Sequence, residues 1–333
     1  MSIIKVAQIA GVSPSTVSRV INRDSRISEE TVKRVRRAIE EVNYKPRPIT
    51  DGRRRRRSRA NRKTRTIEVC LGPLAAPSWE EFSGRVMGGV HRAAHDLGCS
   101  IAITSLRPDG QRQHPNPSAR YDGVLYRGLD EECLSAISPD ECCVIAFDPG
   151  PRFFGDSVEP NNRAVGQMAC DYLVGRGRTN LAVLTNVRKG DRELIDREQA
   201  FHLAAASKEI EATALRFEED AIAETKSLLT DFLKHSKPDG IFLPGEASVV
   251  SLVHRLIREL GYEIGRDCDL ISNATELSLI DSLYPSIANI DVRPDAVGYA
   301  ATHRIYKKIE GSTAAPQRTL LMPTLIDPRD KPD

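Results

Sequence analysis

The sequence has no long apolar run, no signal-peptide pattern and no cysteine pair with CxxC spacing. No stretch approaches the roughly 18 apolar residues that a membrane span requires. Residues 1–5 lack the basic and apolar regions of a signal peptide. The seven cysteines are an odd number, and no two have CxxC spacing, which argues against a disulfide framework and a zinc site. We therefore expect a protein of the reducing cytosol.

Catalytic motifs are also missing. The sequence contains neither GxxxxGK[ST] nor GxSxG, and Gly175-Arg176-Gly177 lacks the third glycine of a dinucleotide-binding loop. His91 and His95 have the spacing of a zinc pair on a helix, but no glutamate follows His91 and no third ligand is evident. No residues assemble into a nucleophile, a base and an oxyanion donor. We expect no enzymatic activity, no metal and no cofactor.

Positive and negative charges are unevenly distributed along the chain, although its net charge is only +2. Residues 1–65 hold 19 Lys/Arg and 6 Asp/Glu, whereas the remaining residues hold 29 and 40. Nine of the thirteen residues from Arg53 to Arg65 are Lys or Arg, and self-repulsion should keep this stretch unfolded when nothing is bound. A basic segment on an acidic body indicates a polyanion-binding module, with a merely solvated linker as the alternative.

The first 45 residues predict three short helices. Apolar residues recur within 4–10, and Gly11 can take the left-handed conformation that ends a helix. Ser13 is a favourable N-cap and Pro14 suits the first position of a helix from Pro14 to Asn22. Ser28 begins a third helix with a buried stripe of Val32, Val35, Ile39 and Val42. Helices joined by a tight glycine turn are typical of a helix-turn-helix.

The outward face of the second helix is short and polar. Val17, Val20 and Ile21 point to one side, which leaves Ser15, Thr16, Ser18, Arg19 and Asn22 outward. Small side chains allow close approach to a major groove, hydroxyl and amide groups bind phosphates, and arginine can bind guanine O6 and N7 together. A generic solvated helix face would carry Glu and Lys, which are absent here. This face predicts DNA binding.

The three-helix segment at the start of the sequence, which we call the head, resembles a known family. Residues 6–22 read Val-Ala-Gln-Ile-Ala-Gly-Val-Ser-Pro-Ser-Thr-Val-Ser-Arg-Val-Ile-Asn, and residues 27–31 and 43–46 continue a match to the lac-repressor (LacI/GalR) family of transcription factors. The resemblance places Pro14, Ser15 and Arg19 at base-reading positions. It places Ser13, Thr16, Ser18 and Asn22 at phosphate-contacting positions, and Arg26 beside the DNA backbone or a base edge.

The segment after the head departs from the family pattern. The family usually has a hinge helix there, with a leucine that wedges into the minor groove, and Arg53 occupies the leucine position beside Gly52. Neither the glycine nor the arginine run favours a stable helix and wedge. Arginine is attracted to narrow minor grooves. We therefore hypothesise that residues 53–65, including Arg53, Arg54 and Arg55, lie along the minor groove or adjacent phosphates.

Beyond Thr66, apolar strand-like runs alternate with helical stretches, which predicts parallel sheets covered on both faces. The predicted strands are Ile67–Leu71, Ser100–Leu106, Gly123–Tyr126, Cys143–Phe147, Asn180–Leu184, Ala212–Phe217, Gly240–Leu243 and Asp269–Ser272. The predicted helices are Trp79–Leu97, Arg163–Gly175, Asp191–Ser207, Glu219–His235 and Ala247–Leu260.

The body also resembles the family and, through it, the periplasmic sugar-binding fold. Residues 261–267 resemble its Gly-x-x-x-Pro-x-Asp loop, and residues 289–294 resemble its return crossing into the first lobe. The resemblance implies a small all-α helix-turn-helix head and an α/β two-lobed body with parallel sheets. The expected boundaries are 1–48 for the head, 49–65 for the linker, 66–161 and 291–318 for lobe one, and 162–290 and 319–330 for lobe two. A helix Asp295–Glu310 would lie in lobe one and a final strand Thr319–Ile326 in lobe two.

Candidate effector-binding residues can be proposed only from their positions relative to the family pattern. Arg197 matches an arginine that commonly binds a ligand hydroxyl or carboxylate in the family. Asp148 and Asn273 follow strands that end at the cleft, and Glu246 falls where the family commonly has an aspartate after Gly240–Leu243. The alternatives are a surface ion pair for Arg197, helix caps for Asp148 and Asn273, and a structural role for Glu246. Residues 107–121 show no apolar period where a lobe-one helix would normally run, so lobe one is expected to be trimmed beside its cleft.

These features together predict a cytoplasmic, nucleoid-associated transcriptional regulator, most often a repressor in this family. Two heads of a homodimer would bind a near-palindromic double-stranded DNA operator, and a small effector, a sugar by resemblance, would change its affinity for DNA. One alternative is an enzyme or transport-type binding protein with a DNA tether. Another is an effector-independent architectural DNA binder that uses the arginine run.

Overall fold

The computed structural model divides the chain into two compact units, Met1–Lys63 and Thr64–Asp333. It describes residues 3–21, 27–42, 64–72, 79–106, 112–113, 120–129, 133, 137, 142–147, 153, 155–186, 192–217 and 222–330. Asn22, Arg26 and the arginines at 53–55 lie outside these residues, as does Asp148. Within the described ranges, no helix combines the length and the apolar character that a membrane crossing requires.

The described part of the first unit forms three helices, as predicted. They are α1 (Ile3–Ala10), α2 (Pro14–Ile21) and α3 (Glu29–Glu41). Gly11 has φ +59°, which confirms the left-handed turn after α1. The Ser28 side chain accepts a hydrogen bond from the backbone N–H of Thr31 and caps α3. The apolar core of this unit consists of Val6, Ala7, Ala10, Val17, Val20, Val35, Ala38 and Val42.

An arginine on α3 fixes the turn between α1 and α2. The Arg34 side chain donates to the carbonyl oxygens of Ala10 (2.8 Å) and Gly11 (3.3 Å). These carbonyls lie at the C-terminal end of α1, where no helical partner remains for them. These hydrogen bonds from α3 therefore fix the angle between α1 and α2.

Lobe one of the second unit is built on a largely parallel sheet. Its strand order is β12-β6-β5-β4-β1-β2-β3, and only the β2–β3 pair among the described pairings of this sheet is antiparallel. Two helices, α4 (Trp79–Leu97) and α10 (Pro294–Ile309), pack side by side on one face. The strands are β1 (Thr66–Leu71), β2 (Ser100–Leu106), β3 (Arg112–Gln113), β4 (Gly123–Arg127), β5 (Cys143–Ala146), β6 (Asp156–Pro160) and β12 (Arg318–Leu321).

Lobe two has a second sheet, of order β13-β11-β10-β9-β7-β8, with an apolar core on each face. Its strands are β7 (Leu181–Asn186), β8 (Ala212–Phe217), β9 (Gly240–Leu243), β10 (Asp269–Ser272), β11 (Ala288–Asp291) and β13 (Thr324–Ile326). Its helices are α5 (Asn162–Gly175), α6 (Arg192–Ala206), α7 (Ile222–Ser236), α8 (Ala247–Glu259) and α9 (Leu277–Asp281). The prediction of parallel sheets that alternate with helices is confirmed.

The chain passes between the two sheets three times: from β6 to α5, from β11 to α10 and from β12 to β13. The prediction of one strand over Thr319–Ile326 in lobe two is wrong. The first part, β12, pairs in parallel with β6 in lobe one, and the second part, β13, pairs antiparallel with β11 in lobe two. Pro323 stands between them and lacks the backbone N–H that an uninterrupted ladder needs.

Candidate functional site

The start of α2 carries a cluster of hydroxyl groups around Ser13. Its Oγ accepts a hydrogen bond from the Thr16 backbone N–H (3.1 Å), so Ser13 caps the helix. The same Oγ lies 2.7 Å from Ser15 Oγ and 2.9 Å from Thr16 Oγ1. Hydroxyl groups at the positive end of a helix form a suitable place for a phosphate group.

The two faces of α2 separate apolar from polar residues. Val17 and Val20 are buried against the neighbouring helices. Pro14, Ser15 and Arg19 are exposed, and Thr16 and Ser18 are half-buried. Ser15 and Arg19 are one helical turn apart, so they occupy the same outer face. The structure therefore brings together the described residues that were predicted to contact DNA, with Arg19 as the one long cationic side chain on α2.

In the body, Arg197 lies on α6 and is buried, with 6% of its surface exposed. Its Nε donates to Oδ1 of Asn162, the first residue of α5, at 2.9 Å. Arg197 therefore does not lie at the surface. A Cβ at Gly166 would lie 2.0 Å from the Arg197 carbonyl oxygen, so only glycine allows α5 and α6 to approach this closely. This approach places Arg197 beside Asn162.

The neighbouring Glu198 fixes α6 against the sheet. It is 2% exposed, and its carboxylate accepts a hydrogen bond from Thr185 Oγ1 of β7 at 2.9 Å. The guanidinium group of Arg216 on β8 lies 2.8 Å from the same carboxylate. The sequence analysis did not identify Glu198, although its position directly after Arg197 in the sequence was an available signal. Its role is to hold the helix that carries Arg197.

Two other predicted cleft residues lie at the ends of neighbouring strands. Asn273 follows β10, is buried, and accepts a hydrogen bond through Oδ1 from the Gly245 N–H (3.1 Å), which stabilises the turn after β9. Glu246 is half-buried at the N-cap position of α8 but makes no side-chain capping hydrogen bond. Both positions agree with the predicted cleft edge, and their contact with a ligand stays a prediction.

The structure adds Arg127, which sequence reasoning missed. It is the last residue of β4 and is 2% exposed. Its guanidinium carbon lies 4.9 Å from the ring centre of Phe82 and 6.0 Å from that of Phe147. Phe82 packs against the apolar cores of both lobes, so Arg127 lies where the lobes meet. The predicted strand ended at Tyr126, and an arginine directly after this buried strand was the available signal.

The guanidinium group of Arg127 is buried beside two aromatic rings. Burial lowers the pKa of Arg127 to about 10, although the carboxylate of Glu193 in lobe two acts in the opposite direction. A group with this pKa is still protonated at neutral pH. The lobes therefore enclose a permanent cation at the carboxyl end of the central strands, where ligands of such sheets bind.

A helix-turn-helix head and a two-lobed α/β body of this topology define the class of DNA-binding regulators with a periplasmic-binding-protein-like body. Residues 2–47 match the family described as bacterial regulatory proteins, lacI family, and residues 170–330 match the periplasmic binding protein-like domain. The chain therefore has a head that matches the lacI family and a body that matches the periplasmic binding protein-like domain.

Similar proteins cover nearly the whole chain. The ribose operon repressor of Escherichia coli strain K12 is 26% identical over 97% of both chains. The HTH-type transcriptional repressor PurR of Aliivibrio fischeri strain ES114 is 27% identical over 92% of this chain and 90% of its own length. The crystal structure of the lac repressor dimer bound to operator and the anti-inducer ONPF has the same fold, with a TM-score of 0.63, 19% identity and 98% coverage of both chains.

These matches decide between the broad classes of function. The protein is a DNA-binding transcriptional regulator and not an enzyme, because its head matches a family of bacterial regulatory proteins and the proteins similar to nearly its whole length are transcriptional repressors. The similar proteins give no support to the alternative of an effector-independent architectural DNA binder.

Proposed function

We propose that the protein binds a near-palindromic operator as a homodimer and represses transcription in the cytoplasm, in association with the nucleoid. The outer face of α2 carries this proposal: Ser15 and Arg19 are exposed there, whereas Val17 and Val20 are buried. One such helix spans too few base pairs for high specificity, so two heads would bind half-sites about one helical turn apart. The lac repressor dimer bound to operator, which has the same fold, supports this arrangement.

A small effector bound between the lobes would change operator affinity. Arg197, held by Asn162, and the polar residues Glu246 and Asn273 lie at or near the strand ends where such sheets bind ligands. The similarity to the ribose operon repressor favours a sugar or a sugar derivative. By thermodynamic linkage, operator DNA would change effector affinity by the same factor.

The test is selection of bound sequences from random DNA with the full-length protein, followed by titration of the selected site and of scrambled DNA. At about 150 mM salt we expect a two-fold symmetric site bound roughly 10³-fold or more tightly than scrambled DNA. An affinity ratio near one would instead favour the architectural alternative. Protein that binds the selected site as a monomer would contradict the dimer.

The arginine run gives a separate expected result. Replacement of residues 53–57 by glutamine should flatten the slope of log K against log salt by about 0.9 for each phosphate that these arginines no longer neutralise. Affinity should fall on many sequences alike, because binding to phosphate carries no base information. As a control, glutamine at Arg36 and Arg37, which are exposed on α3, changes the charge of the head outside the run. A salt slope unchanged after the 53–57 replacement would refute minor-groove or phosphate binding by this segment.

A further inference from the structure

One side chain of α3 holds the turn between α1 and α2. The guanidinium group of Arg34 donates to the Ala10 carbonyl oxygen through Nη2 (2.8 Å) and Nε (3.3 Å), and to the Gly11 carbonyl oxygen through Nη2 (3.3 Å). Its positive charge also lies at the negative end of the α1 dipole. A planar group that binds two consecutive carbonyl groups fixes the direction of the backbone at this turn as well as its position.

Apolar packing alone constrains α2 weakly. The buried apolar core described for the head consists entirely of valine and alanine side chains, which bury little apolar area. The packing of α1 against α3 is more extensive than that of α2 against α3. The orientation of α2 relative to α3 therefore depends on the turn through which α2 is joined to α1, and Arg34 bonds to this turn directly.

The residues predicted to contact DNA lie just beyond this turn. Ser13 caps α2, and Ser15 and Arg19 are exposed on its outer face. Two parallel hydrogen bonds from an arginine to a guanine edge require a defined distance and direction, whereas attraction to phosphate charge tolerates displacement. A change in the angle of α2 should therefore reduce discrimination between DNA sequences more than it reduces binding to DNA in general.

We propose that Arg34 is a positioning residue for operator recognition, which acts on base reading through the angle of α2 and does not contact DNA itself. The inference rests on the proposed operator binding, and it assigns part of the specificity to a residue outside the outer face of α2. Arg34 is not among the residues that the sequence predicted to contact DNA.

The experiment titrates the full-length protein with the selected operator and with scrambled DNA at constant salt. Arg34→Met removes the hydrogen bonds and the charge but keeps a flexible side chain. We expect the ratio of operator to scrambled affinity to fall about tenfold or more in this variant, because both heads lose the geometry of their base contacts. If Arg34→Met does not fold, Arg34→Gln takes its place, since its amide keeps one N–H donor group without the charge.

Two further variants test the role of the guanidinium group. Arg34→Lys keeps the charge and a donor group at the turn and should recover part of the ratio, although it lacks the planar fork. Arg37→Met removes an exposed charge from the same helix and is the matched control. It should leave the ratio within about twofold of the wild type, because long-range charge attracts all DNA sequences alike.

The ratio separates positioning from two other roles. A variant whose head is merely less stable has a smaller binding-competent fraction, which weakens binding to both DNAs by the same factor. If Arg34 instead contacted phosphate, its loss would flatten the slope of log K against log salt by about 0.9 for each head, relative to Arg37→Met. Equal losses of affinity on both DNAs, or a slope flattened in this way, would each overturn the proposal.

Hydrogen exchange, measured by mass spectrometry, tests the turn without DNA. In the wild type the N–H groups of Gly11 and Val12 bond to carbonyl oxygens of α1 at 3.3 Å and 3.0 Å. In Arg34→Met, peptides covering residues 8–16 should exchange about tenfold faster, whereas peptides from the second half of α3 should exchange nearly as in the wild type. Equal acceleration of both, or none, would contradict a local role at the turn and overturn the proposal. This measurement needs no operator, so a failure of operator binding and a failure of the Arg34 role are distinguishable.

Discussion

Replacement of Arg19 by alanine should abolish most of the preference for the operator over scrambled DNA. Arg19 is exposed on the outer face of α2, one turn from Ser15, where a guanidinium group can bind a guanine edge. Each bidentate arginine–guanine pair contributes about 1–3 kcal/mol of discrimination, so two heads would lose about 2–6 kcal/mol. The ratio of operator to scrambled affinity, from titrations at constant salt, should fall roughly 30-fold to 10⁴-fold.

Arg37→Ala is the matched control for Arg19→Ala. Arg37 is also an exposed arginine of the head, but it lies on α3. The control should weaken binding to both DNAs by a similar small factor and leave their ratio nearly constant, because it changes only long-range charge. Equal ratios in wild type and Arg19→Ala would show that α2 does not read bases through this residue.

Replacement of Asp156 by asparagine should destabilise the body by about 3–5 kcal/mol, because it removes the buried negative charge that pairs with the partly buried Arg304 and Lys308. Asp156 begins β6 and is 1% exposed. Its carboxylate accepts hydrogen bonds from Arg304 Nε (2.6 Å), Lys308 Nζ (2.6 Å) and the Gln317 backbone N–H (3.1 Å). Chemical denaturation at pH 7 measures the change in the free energy of unfolding.

The effect of Asp156→Asn should depend on pH. Burial raises the pKa of Asp156, but the hydrogen bonds from Lys308, Arg304 and Gln317 lower it by more, so the net pKa lies below the ordinary value. The stabilisation is therefore fully present above the unfolded-state pKa of about 3.9 and is lost as the pH falls through the lower folded-state pKa. The difference between wild type and variant should shrink in strong acid.

Asp171→Asn serves as the control for Asp156→Asn. Asp171 pairs with Lys208 at 2.8 Å on the surface, with 46% of its side chain exposed, and exposed pairs contribute only about 0–1 kcal/mol. Equal effects of the two substitutions at pH 7 would contradict the proposed role of the Asp156 network.

Local signals were sufficient for most of the fold. The caps at Ser13 and Ser28 and the glycine turn at Gly11 fix the helices of the head through bonds between near neighbours. In the body, helix Trp79–Leu97 and strand Ala212–Phe217 have the predicted bounds because their apolar patterns are uninterrupted. Elements of this kind depend little on distant parts of the chain.

Elements whose burial depends on residues far away in the sequence could not be predicted from local patterns. Strand β6 reads Asp-Ser-Val-Glu-Pro, which is a loop-like composition. It is buried because Arg304 and Lys308, 148 and 152 residues later, neutralise Asp156, and because Arg318 bonds to Glu159. Arg127 was missed for a similar reason: the rings of Phe82 and Phe147 beside it come from other parts of the sequence.

The triple passage of the backbone between the two sheets limits how the lobes can move. Three short segments, at residues 160–162, 291–294 and 321–324, connect the two lobes. Sliding or separation would stretch all three at once, whereas a rotation about the line through them needs only small dihedral changes at each. A ligand bound in the proposed cleft would therefore change the angle between the lobes rather than their separation. A rotation of a few degrees is magnified with distance from that axis, so the far end of a lobe moves most.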